Sequence, residues 1–213
     1  MNVEQTMIGV FFKMGALGQI IAILIFFLSI VSVFIFIERL LFLKFAGKAD
    51  PNFIEKIKEN VSEGNISAAK DYCNRNNNAL ARVILKGLNR IGMPIRDIEL
   101  AMDKQIGLEI FKFEKGEGVL SLISKLAPML GFIGTIGGVI QIFYTINATG
   151  DYNIESISGG LYVKMITSGL GLFLGILAYF FYFVVSSKIK NAIYTLDKGS
   201  SEFIDIISSP SKG

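Results

Sequence analysis

Three hydroxyl side chains, Thr135, Thr167 and Ser168, stand in charge-free stretches rich in apolar residues and glycine. A hydroxyl donates one hydrogen bond and accepts two, so such groups can line a hydrated path or hold a carboxyl group. None carries a proton by itself at neutral pH. Nucleophilic catalysis would need a base beside the hydroxyl, yet the chain has no histidine and no acidic residue between Lys125 and Asp151. The glycines of GFIGTIGGV and of GLGLFLG lack the Lys-Ser/Thr that completes a phosphate loop. A single cysteine, Cys73, excludes an intrachain disulfide, and without histidine the usual mixed metal centres are absent. No enzymatic constellation, metal site or cofactor is expected.

Spacing places these hydroxyls on helix faces. Gly131, Thr135, Gly138, Ile142 and Thr145 recur at gaps of four and three, with Gly134 and Gln141 beside them. Lys164, Ser168, Gly171, Gly175, Tyr179, Tyr182 and Ser186 share a second face, while Leu170, Phe173, Leu177, Phe180 and Val184 point elsewhere. In lipid, a face of small and polar residues is where helix backbones approach. Close packing alone accounts for Gly131, Gly134, Gly138, Gly171 and Gly175; the three hydroxyls are candidates for lining a pore. Thr135 falls near the middle of its apolar stretch, with Thr167 and Ser168 nearer the outer end of theirs. Charges are expected only at boundaries: Glu38 and Arg39 close the first stretch, Lys125 opens the second, and Lys164 marks the outer end of the third, its stem free to snorkel. With no carboxylate or imidazole inside any stretch, an ion crossing here needs a titrating group from another chain.

The elements that position these residues follow from hydropathy. The chain is 52% hydrophobic with a mean hydropathy of +0.54, too apolar for an ordinary soluble domain. Residues 15–37, 126–146 and 165–187 are each free of Asp, Glu, Lys and Arg. At about 1.5 Å per residue each is long enough to cross the hydrocarbon. A cleavable signal peptide is the lesser reading of the first, because its apolar run is too long and no cleavage site follows. Residues 44–117 hold 13 Lys and Arg, nearly balanced by acids, and four more follow residue 187, whereas 147–159 holds none. The positive-inside rule then sets the N-terminus outside and the middle segment and tail in the cytoplasm. The near balance of charge argues against nucleic acid.

The expected class is an all-α membrane protein with three transmembrane helices and long cytoplasmic helical extensions. Its segments are 1–44 (N-terminus and first span), 45–118 (cytoplasmic helices), 119–147 (second span), 148–160 (short outer loop), 161–187 (third span) and 188–213 (helical extension and tail). Within 45–118, Pro51 opens a helix ending at Gly64, ISAAKDYCNRN and LARVILKGLNRIG form two more around an NNN turn, and Pro94 opens another. The pattern after Pro94 predicts one long helix running through GEGVLSLISKL into the second span. The third span continues as a helix on the stripe of Ile189, Ile193, Leu196 and Phe203, and the tail SSPSKG is expected to be disordered.

The stretch LAPMLGFIGTIGGVI resembles the signature of the ExbB, TolQ and MotA family of proton-channel stator subunits. IERLLFLKFAGK is similar to the end of the first span in ExbB and TolQ, and ITSGLGLFLGILAY to the third-span pattern. Three spans favour ExbB or TolQ over the four-span flagellar subunits. The resemblance implies a homopentamer in the bacterial inner membrane, with a periplasmic N-terminus, around single-span ExbD- or TolR-like partners. A membrane Asp of the partner carries the proton, and the motion is delivered to TonB-like or Tol-Pal machinery. Lipids are the other partner implied by the spans. The family's pore threonine maps to Thr135 and its third-span hydroxyl pair to Thr167 and Ser168. Two positions depart from the family: its third-span glutamate falls on Val163, beside Lys164, and a common proline falls on Leu177. The rival readings are a TolQ-like Tol-Pal subunit and an oligomeric scaffold that conducts nothing.

Overall fold

The computed structural model describes residues 15–47, 52–76, 78–150 and 154–208. Their regular structure is helical throughout: α1 Ala16–Ala46, α2 Phe53–Ser62, α3 Ile66–Asn76, α4 Ala79–Leu88, α5 Ile95–Glu114, α6 Glu117–Thr149 and α7 Ile154–Ser208. Three stretches, within Ala16–Ala46, Ile95–Thr149 and Ile157–Ser208, are long and apolar enough to cross a membrane. The chain divides into two compact units, Met1–Ile37 with Gly116–Phe183 and Glu38–Lys115 with Val184–Gly213.

The first unit packs parts of α1, α6 and α7 around Ile21, Ile25, Ile123, Ala127, Leu174 and Ala178, flanked by Leu28, Val31 and Leu130. Along α1 the buried positions Gly18, Ile25 and Ser32 recur every seven residues, the repeat that keeps one seam of a helix turned to its neighbours. Phe36 stacks on Phe181 with ring centroids 4.1 Å apart. The opposite face of α1 presents Ile20, Phe26, Phe27 and Phe34, each more than half exposed. A patch this apolar would aggregate in water, and it matches a lipid or protein neighbour in a bilayer.

The second unit is built from short amphipathic helices. Asn78 caps α4 by accepting a 2.7 Å hydrogen bond from the Ala81 amide, and Asn65 does the same for α3 from Ala68 at 3.1 Å. Phe53, Ile57, Ile84, Leu88, Met102, Phe113, Leu196 and Phe203 are fully or almost fully buried there. At Gly87 and Gly199 a β-carbon would come within 2.7 Å of Met102 and Phe203 and within 2.6 Å of Leu80, so glycine at these two points lets α4, α5 and the end of α7 close up.

The helical pieces expected between residues 52 and 114 are present, and α7 continues unbroken through residue 208 as the stripe predicts. The single helix expected from Ile95 into the second span is not: α5 ends at Glu114 and α6 begins at Glu117. Lys115 is extended (φ −55°, ψ 125°) and Gly116 is left-handed (φ 85°), a conformation that costs an L side chain roughly 1 kcal/mol or more and glycine almost nothing. Pro51, residues 1–14 and residues 209–213 fall outside the described residues.

Candidate functional site

Within the first unit α6 and α7 run together along a seam of glycines. A β-carbon on Gly131 would lie 3.0 Å from Ser168 Cα and from its carbonyl oxygen. One on Gly171 would lie 2.6 Å from the Ala127 carbonyl oxygen, and one on Gly175 2.4 Å from the Pro128 ring. At these three positions backbone meets backbone or a rigid ring, so the absent side chains set the helix separation. Gly134 differs: its nearest neighbours, Ile21 Cδ1 at 3.4 Å and Thr167 Cγ2 at 3.5 Å, are in ordinary van der Waals contact range.

Thr135 sits on this seam. Its hydroxyl is 3.3 Å from the Gly131 carbonyl oxygen, one turn back on α6, and 3.2 Å from the Lys164 carbonyl oxygen on α7. One proton is shared between two acceptors, and both distances are long for a hydroxyl donor, so neither bond holds it tightly. Its lone pairs remain open to a further donor. Thr167 is buried, with its methyl group against Gly134, and Ser168 is half-buried beside Gly131.

The register corrects two sequence expectations. Thr167 and Ser168 are not farther out than Thr135; Ser168 lies beside Gly131, one α6 turn before Thr135. Lys164 does not end the helix pair, because its own carbonyl is level with Thr135 and the contact continues to Gly160 against Ile142. The charge-free window began at residue 165 only because Lys164 is charged. Its stem lies in the slot left by Gly138, where a β-carbon would come within 2.4 Å of Lys164 Cγ and Cδ. The ammonium reaches past that slot: it lies 3.8 Å from where a β-carbon of Gly15 would stand, and Gln141 Oε1 lies 3.2 Å from the same point. Lys164 is only 8% exposed. No ion pair reaches it among the described residues.

The second unit holds charged groups that the sequence did not single out. The Glu109 carboxylate on α5 is fully buried, receiving Arg82 Nε at 2.9 Å and Nη2 at 2.7 Å, Gln105 Nε2 at 2.9 Å and Lys112 Nζ at 2.9 Å. Burial pushes its pKa up, but the hydrogen bonds and charges of Arg82 and Lys112 outweigh that and hold it down at about 2. Gln105 and Lys112, four before and three after Glu109, are visible as a helix-face pattern; Arg82 carries no local signal. Arg39, expected as a boundary charge, is buried, paired with Glu38 and donating from Nη1 to the Lys112 carbonyl at 3.2 Å. Burial pushes the Cys73 thiol up to about 12, which leaves it unreactive. No cluster of His, Cys, Asp and Glu able to hold a metal occurs among the described residues.

The MotA/TolQ/ExbB proton channel family matches residues 75–198, more than half of the chain. A biopolymer transport protein ExbB homolog of Methanothermobacter thermautotrophicus is 30% identical over 188 residues, covering 87% of this chain and 66% of that protein. The biopolymer transport protein ExbB of Xanthomonas campestris is 25% identical over 54% of this chain and 46% of its own length. The Tol-Pal system protein TolQ of Haemophilus influenzae is 24% identical over 96% of this chain and 93% of that protein. The chain thus spans less than two thirds of the two ExbB-type relatives and nearly all of the TolQ. The likeness first read from residues 126–140 is borne out: with its three apolar helices and glycine seam, the chain belongs to the MotA/TolQ/ExbB proton channel family.

Proposed function

We propose that the chain is the multi-span subunit of an ion-driven motor of the bacterial inner membrane. In this reading copies of it, five as in the family, form a ring around single-span subunits that each bring an acidic residue into the membrane. The ring uses the proton motive force to energise outer-membrane transport through a TonB-like protein. The observation that carries the reading is Thr135, a loosely held hydroxyl on a glycine seam in a chain whose apolar windows contain no acid of their own. A protonated carboxyl group passing this point can donate to the Thr135 oxygen, and an ionised one can accept from it. Thr167 and Ser168 extend the polar lining along α7, and Gly131, Gly134, Gly138, Gly171 and Gly175 supply the room. Glu38 and Arg39 serve as a polar stop to the first apolar stretch.

Replacing Thr135 by Val keeps the volume and removes the hydroxyl. The expected outcome is an assembly that purifies at unchanged size but has lost proton-driven work, read as energised uptake in cells. Unchanged uptake in that variant sinks the role. A Tol-Pal motor is the second reading, favoured by the nearly full-length match to TolQ; it predicts that loss of the chain compromises outer-membrane integrity while energised uptake continues.

A further inference from the structure

Lys164 is the unexplained group in the first unit. A lysine 92% withdrawn from solvent, on an apolar helix and with no ion pair among the described residues, is costly unless an anion meets it. The fold makes a place for it. Gly138 vacates the volume that its stem fills, and the chain direction of α7 sends the side chain back along α6 to the Gln141 amide and Gly15. Gln141 can orient a bound group through its own donor and acceptor but cannot neutralise the ammonium.

We propose that Lys164 is the seat of a carboxylate carried into the membrane by a transmembrane segment of another chain, with Gln141 as the second contact and Thr135 level with the Lys164 backbone. Charge complementarity points to an acid, and the sequence points to another chain, because residues 15–37, 126–146 and 165–187 contain no Asp or Glu. On α7 the backbone of Glu155 lies nine residues before Lys164, about 14 Å along a helix axis. An acid seated here pairs with the ammonium through charge-assisted hydrogen bonds, the strong kind. Lys164 thereby marks the point on each subunit where the visiting acid is held. This rests on the motor reading but deepens it, because it assigns the charge-bearing contact to a residue of α7.

The test is zero-length coupling in native membranes containing the full chain, using dicyclohexylcarbodiimide. It activates a carboxyl group as an O-acylisourea; the Lys164 amine displaces dicyclohexylurea and forms an amide only where the two groups touch. Mass spectrometry of the product then reads the partner residue. An amide from Lys164 to an Asp or Glu inside an apolar segment of a different protein is the expected result. An amide to Asp151, Glu155 or Glu4 of this chain or of a second copy overturns the proposal, as does no amide at Lys164. In parallel, Lys164→Met should lower co-purification of the coupled protein at least tenfold, and Lys164→Arg should restore it. Wild-type retention in Lys164→Met overturns the proposal too. An amide formed in a complex whose Thr135→Val variant still performs proton-driven work refutes the motor role of Thr135 and leaves the Lys164 contact standing; the converse pattern does the reverse.

Discussion

Arg82 and Glu109 show how a buried charge is kept. Truncating Arg82 leaves the carboxylate fully enclosed with only Lys112 and Gln105, and loss of one partner of a buried pair costs about 3–5 kcal/mol. Arg82→Met should therefore lower the thermal midpoint of the detergent-solubilised chain sharply, and adding Glu109→Leu should recover much of the loss. If the double variant melts no higher than Arg82→Met, the cluster is not an isolated charge problem. The same carboxyl group sets an acid limit. Its ordinary value of 4.5 falls to about 2 in the folded chain, so the unfolded chain binds this proton first as pH drops. The contribution is complete above about pH 4.5 and is lost as pH falls toward 2. A pH series of melting curves should slope downward across that window, and the slope should shrink in Arg82→Met/Glu109→Leu.

At the scale of the element, the seam glycines are not equivalent. A methyl group at Gly131 or Gly171 meets helix backbone at 3.0 and 2.6 Å, which only separation of α6 from α7 relieves; overpacking of this kind costs about 1–3 kcal/mol. Gly134→Ala adds a methyl in open contact range and removes backbone freedom from a helix interior, so it should be neutral or stabilise by up to about 1 kcal/mol. Melting curves that ranked Gly134→Ala with Gly131→Ala would refute the register. The small-residue motif at residues 126–140 was readable because helix faces are local arithmetic. The break at Gly116 was not, since nothing in GEG distinguishes a glycine inside a helix from one that has turned left-handed. Lys164 closed the charge-free window, yet α7 begins ten residues earlier, at Ile154: a charge ends a hydropathy window, whereas a four-carbon stem can lie along a glycine and let its helix continue.

At the scale of the whole molecule, three apolar helices with outward-facing Phe and Ile side chains demand a bilayer. Washing membranes with alkaline carbonate should leave the chain in the pellet and mild detergent should release it; recovery in the wash contradicts the three-span reading. Class and family were legible because window hydropathy and one motif suffice for both. The Arg82–Glu109 bond was not, because it joins residues 27 apart in sequence through packing that no local pattern announces.

The uninterrupted course of α7 carries a mechanical corollary. Its 55 residues rise about 80 Å, well over twice the thickness of a bilayer core. With no proline and no left-handed residue from Ile154 to Ser208, its backbone ladder has none of the usual points at which a helix kinks. The break at Lys115–Gly116, by contrast, ends one hydrogen-bonded ladder and starts another.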